Sequence, residues 1–150
     1  MIQRIQTIYL LLVVILGILL CFYSPVQFLL PNGSEYIDFS VIEKWPFAIM
    51  TISVPILAFV TIWLFKHRLL QARLNIMTVI LSLGYYALLA LYIAYIVKGY
   101  EAVGDLTLKD ADWYLTIWTG IPLINVILLM MATRRILKDE ALVRAADRLR

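Results

Sequence analysis

Residues 44–66 read KWPFAIMTISVPILAFVTIWLFK, and the two lysines enclose 21 residues without a charge. An α-helix rises ~1.5 Å per residue, so about 20 residues cross a hydrocarbon core of ~30 Å. This window therefore matches the thickness of a bilayer, and the lysines mark where the apolar phase stops. The same rule gives three more windows: Arg4 to Glu35 encloses 30 uncharged residues, Arg73 to Lys98 encloses 24, and Asp112 to Arg134 encloses 21. None alternates with period two, as a membrane barrel strand would, and in hydrocarbon each backbone donor and acceptor must be satisfied within its own segment. The expected fold is an all-α membrane protein, a four-transmembrane-helix bundle. Its spans lie at about 5–24, 46–65, 74–97 and 113–133, followed by a tail at 134–150.

Composition points the same way. Of 150 residues, 63% are hydrophobic and 15% charged, with a mean hydropathy of +0.90; soluble domains carry roughly 25% charged residues. A soluble fold and a disordered chain are thereby excluded. Cys21 is the single cysteine, so a disulfide scaffold is excluded as well.

The first window resembles a secretory signal, because Arg4 precedes an apolar run from Ile8 to Phe22. It lacks the small-residue cleavage pattern, and Leu20 stands before Cys21 where lipoprotein processing requires Gly or Ala. It is read as a retained helix, ended by Pro25 and the turn Pro31-Asn32-Gly33.

Orientation follows from the basic residues. Arg4, Lys66, Arg68, Arg73, Arg134, Arg135, Lys138, Arg144, Arg148 and Arg150 fall on one side, and only Lys44, Lys98 and Lys109 on the other. Basic loops stay in the cytoplasm, so both termini are expected inside. Most acids lie opposite, which explains a pI near 9.1 by topology and leaves no need for a nucleic-acid partner. Tyr9 and Trp63 are expected at the inner interface, and Tyr23, Trp45, Tyr100 and Trp113 at the outer one.

No Asp, Glu, Lys, Arg or His falls inside any window, although ion pathways and proton relays normally carry such groups there. His67, the lone histidine, lies in a basic loop across the membrane from most of the acids, which leaves no triad and no metal-ligand set. The expectation is no enzyme, no catalytic or metal-binding residue, and no cofactor. Asp110 and Asp112 are assigned to the N-terminal dipole of helix four, and Ser40 with Glu43 to a capping box before helix two, where Pro46 fits a first turn.

Three features suggest contact surfaces. Pro55 and Pro122 fall inside windows two and four and are expected to kink those helices, with Thr51, Thr119 and Gly120 compensating the freed carbonyls. Gly84, Ala87, Ala90 and Ala94 share one face of helix three, which allows close approach of helix two, helix four or another protein. Asn75, Ser82 and Asn125 are candidates for hydrogen bonds between helices. Beyond Arg134 no Gly or Pro interrupts the chain. Leu142, Ala145, Ala146 and Leu149 share one helical face, while Glu140, Arg144 and Arg148 step by four along another, and Asp147 is counted with these as a contact residue. Helix four is therefore expected to continue as an amphipathic cytoplasmic helix that lies on lipid or docks a partner.

The opening Met1-Ile2-Gln3-Arg4-Ile5-Gln6-Thr7-Ile8-Tyr9-Leu10, the hairpin from Leu64-Phe65-Lys66 to Gln71-Ala72-Arg73-Leu74, and the ending from Lys138-Asp139-Glu140 to Arg150 resemble a family of short four-span membrane proteins of Bacteroidetes known as a domain of unknown function. Where that family usually has Asn-Arg near the end of span four, this chain has Thr133-Arg134. The resemblance implies a bacterial inner membrane and brings no activity, cofactor or catalytic residue.

These readings favour a non-enzymatic accessory or scaffold protein, in a larger membrane complex or a homo-oligomer, with the helix-three stripe and the tail as binding surfaces. The alternative is a small carrier or lipid-binding protein that opens between the proline-kinked helices, with a wide polar cavity around Thr51, Thr119 and Asn125.

Overall fold

The computed structural model describes residues 3–29, 36–38, 40–42, 44–65, 67–97, 102–103, 106–107 and 112–148. Four helices form its body: α1 (Gln3–Phe22), α2 (Trp45–Trp63), α3 (Arg68–Val97) and α4 (Ile121–Arg148). Four segments, Ile5–Phe22, Trp45–Trp63, Arg68–Ile96 and Ile117–Val143, are long and apolar enough to cross a membrane. Each helix packs on two others: α1 on α2 and α4, and α3 on α2 and α4.

The connections contain strands that the charge gaps did not indicate. β1 (Val26–Leu29) lies between β2 (Tyr36–Asp38) and β5 (Asp112–Leu115) in an antiparallel sheet, and β3 (Ala102–Val103) pairs with β4 (Leu106–Thr107). The register sets Phe28 opposite Ile37 on one side and Trp113 on the other. β1 alternates as a half-buried strand should, with Val26 and Phe28 inward. Those two side chains join Leu20, Phe47, Leu89, Ile96 and Ile121 in one core cluster, so the sheet closes one end of the bundle. A second cluster of Leu10, Val13, Val54, Ala58, Leu129 and Ala132 fills the half toward the α2–α3 hairpin.

Several local expectations are corrected. Helix two is capped at Lys44 without a side-chain hydrogen bond, so Ser40 does not start it; Pro46 occupies the first turn, where no intrahelical N–H bond is lost, and Glu43 lies outside the described residues. Asp112 belongs to β5 and not to a helix N-terminus, because β1 recruits residues 112–115 into the sheet before the helix can begin; Asp110 and the turn at 31–33 lie outside the described residues. The basic loop at 66–73 is shorter than expected, since α3 starts at Arg68.

Pro55 lies inside α2, as expected, but Pro122 does not interrupt α4. A single 3₁₀ turn at Ile117–Gly120 leads into α4, and Pro122 is its second residue. In a first turn proline removes only an N–H that lacks an intrahelical acceptor, so Pro122 breaks no hydrogen bond within α4. The Trp118 carbonyl is not left free, because it accepts the Ile121 N–H.

Four hydroxyls are satisfied by carbonyls of their own helix. Thr61, Thr78 and Thr133 donate to the carbonyls of Leu57, Leu74 and Leu129, and Ser53 donates to that of Met50, at 2.6 to 2.9 Å.

Candidate functional site

The buried face of α3 is polar. Gln71, Ala72, Asn75, Thr78, Ser82 and Tyr85 are buried in steps of one turn, and Leu89 and Ile96 extend the face toward the sheet. Ala87, Ala90 and Ala94 consequently lie on the outer surface, and Gly84 alone approaches a neighbour, with Met50 Cε 3.4 Å from where its Cβ would be. The stripe therefore packs neither α2 nor α4 through its alanines.

Midway along the bundle, Thr51, Ser82, Tyr85 and Asn125 meet at a cavity of about 10 Å³, room for one water at most. Among the described residues the Thr51, Ser82 and Tyr85 hydroxyls and Asn125 Oδ1 have no hydrogen-bond partner, nor does the Asn75 amide. Thr119, expected beside Thr51 and Asn125, instead hydrogen-bonds the Pro25 carbonyl through its hydroxyl. The wide cavity that a carrier requires is not open at these residues.

A larger space opens at the hairpin end. Gln6 and Ile8 of α1, Ile62 of α2, Arg68 and Gln71 of α3, and Ile136 and Asp139 of α4 border a cleft of about 550 Å³, joined by Thr7 and Phe65. Gln6 Nε2 donates to Asp139 Oδ2, Arg68 donates to the Asp139 carbonyl at 3.2 Å, and Gln71 donates to the Thr61 carbonyl at 3.1 Å. These bonds tie all four helices together where their sequence separation is greatest, Gln6 and Asp139 being 133 residues apart. A second cleft of about 510 Å³ adjoins it through Arg68, with His67, Arg73 and Glu140 on its walls.

Sequence reasoning did not single out Gln6, Gln71 or Asp139. Gln6 stands among Gln3, Arg4 and Thr7 at the polar start of the first window and Asp139 in a charged tail, and only their shared position relative to Arg68 distinguishes them. Of the tail residues proposed as contacts, Leu142 and Ala145 are exposed and Glu140 is half-buried. Arg144, Asp147 and Arg148 have side chains outside the described set, and Leu149 lies beyond it. Among the described residues no group of three or more His, Cys, Asp or Glu could hold a metal ion.

The family whose model matches is Domain of unknown function (DUF4293), over residues 2–149. No curated protein and no solved structure matches the chain. With four membrane-length apolar helices and a match that spans nearly all of its sequence, the chain belongs to the DUF4293 family.

Proposed function

We propose that this protein is a non-enzymatic accessory or scaffold subunit of the bacterial inner membrane, acting by contact within a larger membrane-protein complex or a homo-oligomer. The observation that carries this reading is the outward position of Ala87, Ala90 and Ala94 on α3. Small side chains let a second helix approach closely in lipid, where packing replaces the hydrophobic effect as the source of association. The continuous α4, which runs to Arg148, adds an elongated element beyond the last apolar window as a second contact.

Purification in mild detergent is expected to recover a partner, or a second copy, at fixed stoichiometry. A cysteine introduced at Ala90 should crosslink to it, while Ala90→Leu and deletion of residues 141–150 should each weaken the association. A monodisperse monomer with no crosslink in native membranes would overturn the reading.

The excess of Lys and Arg at the end of the bundle that carries the hairpin supports a cytoplasmic location for both termini. A phosphatase reporter fused after Arg150 is expected to stay inactive, and periplasmic activity would reverse the orientation.

A further inference from the structure

The hairpin-end cleft holds two opposite charges that do not pair with each other. The Arg68 guanidinium bonds the backbone carbonyl of Asp139, and the Asp139 carboxylate accepts instead from the neutral Gln6 amide. Among the described residues neither side chain has an ion-pair partner, although both border the same space. Guanidinium has five N–H donors in a fork that suits phosphate, and a carboxylate can accept several hydrogen bonds, so both retain capacity. α3 begins at Arg68, which adds the partial positive charge of a helix N-terminus on the same side.

The remaining walls are apolar. Ile136 is buried, whereas Ile8 and Phe65 are 55% and 52% exposed at the margin. The cleft also lies close to where the apolar segments end, at Ile5, Trp63, Arg68 and, about one turn beyond Asp139, Val143, which is near the depth of lipid headgroups. A volume near 550 Å³ suits a headgroup with its glycerol and the first carbons of a chain.

We propose that this cleft binds a phospholipid whose headgroup carries both a phosphate and a primary ammonium, with the phosphate on Arg68, the ammonium on Asp139, and the chains leaving past Ile8 and Phe65. Charge complementarity selects this occupant: an anionic lipid without an amine would satisfy Arg68 but bring a net negative charge beside the Asp139 carboxylate with no cation to offset it. The site is independent of the outer face of α3, so lipid binding and partner binding can be tested separately.

The test uses the full chain in detergent, titrated with phosphatidylethanolamine, phosphatidylglycerol or soluble glycerophosphoethanolamine, read by native mass spectrometry and thermal unfolding. The expected result is a preference of about tenfold for phosphatidylethanolamine over phosphatidylglycerol, the scale of one charge-assisted hydrogen bond, and no shift with the chain-free headgroup. Arg68→Gln is expected to weaken both lipids, and Asp139→Asn to remove the preference without weakening phosphatidylglycerol. Equal or better binding of phosphatidylglycerol by the unaltered protein would overturn the proposal. So would a preference that survives both substitutions, or a chain-free headgroup as effective as the lipid. The comparison of lipids on the unaltered chain decides the matter even if a variant fails to fold.

Discussion

Replacing Gly17 with leucine is expected to destabilise the bundle by about 3 kcal/mol or more, at the upper end of what overpacking costs. Gly17 is buried where α1 crosses α2, and a Cβ added to it would lie 3.0 Å from Pro55 Cδ and 3.2 Å from both Cβ and Cγ. The pyrrolidine ring has no rotamer by which to withdraw, so the helices themselves would have to separate. Separation would loosen the cluster of Leu10, Val13, Val54 and Ala58 one turn away. Even Gly17→Ala requires a shift of a few tenths of an ångström and should cost about 1 kcal/mol. Gly120→Ala is the control: nothing lies within 4 Å of its Cβ position, and the change should stay within about 0.5 kcal/mol. Unfolding in denaturing detergent, followed by the fluorescence of the four tryptophans, reads all three. Equal midpoints for Gly17→Leu and Gly120→Ala would show that α1 and α2 do not pack through this contact.

The second large effect separates two adjacent tyrosines. The Tyr86 hydroxyl donates to the Thr119 carbonyl at 2.7 Å and accepts the Leu123 N–H at 3.0 Å. It thereby supplies from α3 a cap for α4, whose first turn has no other helical acceptor for that donor. Thr119 in turn hydrogen-bonds the Pro25 carbonyl, which also accepts the Thr116 N–H at 3.0 Å. Stacking of Tyr23 on Trp118, with ring centroids 3.9 Å apart, covers the same junction. One phenol therefore joins α3, the 3₁₀ turn and the start of α4, next to the carbonyl that precedes β1. Tyr86→Phe removes both bonds and strands a donor and an acceptor, which is expected to cost about 2 kcal/mol. Tyr85, by contrast, packs edge-on to Phe47 and its hydroxyl has no partner among the described residues. Tyr85→Phe should therefore be neutral or slightly stabilising, since it removes a buried polar atom and keeps the ring. Matching losses at the two positions would refute the assignment of Tyr86 as the cap.

The four helices were legible because charge is so costly in hydrocarbon that its absence over 21 or more residues is itself a measurement of length. Pro55 was placed correctly for a similar reason: its ring constrains the backbone wherever it stands inside a helix. Pro122 was misread because the same ring is harmless in a first turn, and where α4 starts depends on β5, which exists only through pairing with β1. Strands of two to four residues are too short for an alternation to stand out beside spans several times longer.

The candidate sites were illegible for a deeper reason. In a soluble bundle the polar stripe of each helix marks solvent and fixes its rotation, whereas in lipid the outer surface is as apolar as the core, so sequence periodicity does not distinguish inward from outward. Length, number of helices and charge asymmetry were thus determined by the sequence alone, each through the cost of placing charge in an apolar phase. Tertiary structure alone decided that α3 turns Asn75, Ser82 and Tyr85 inward and leaves Ala87, Ala90 and Ala94 outside. It alone brought Gln6 to Asp139 beside Arg68, because helix rotation is set by packing between segments distant in the chain.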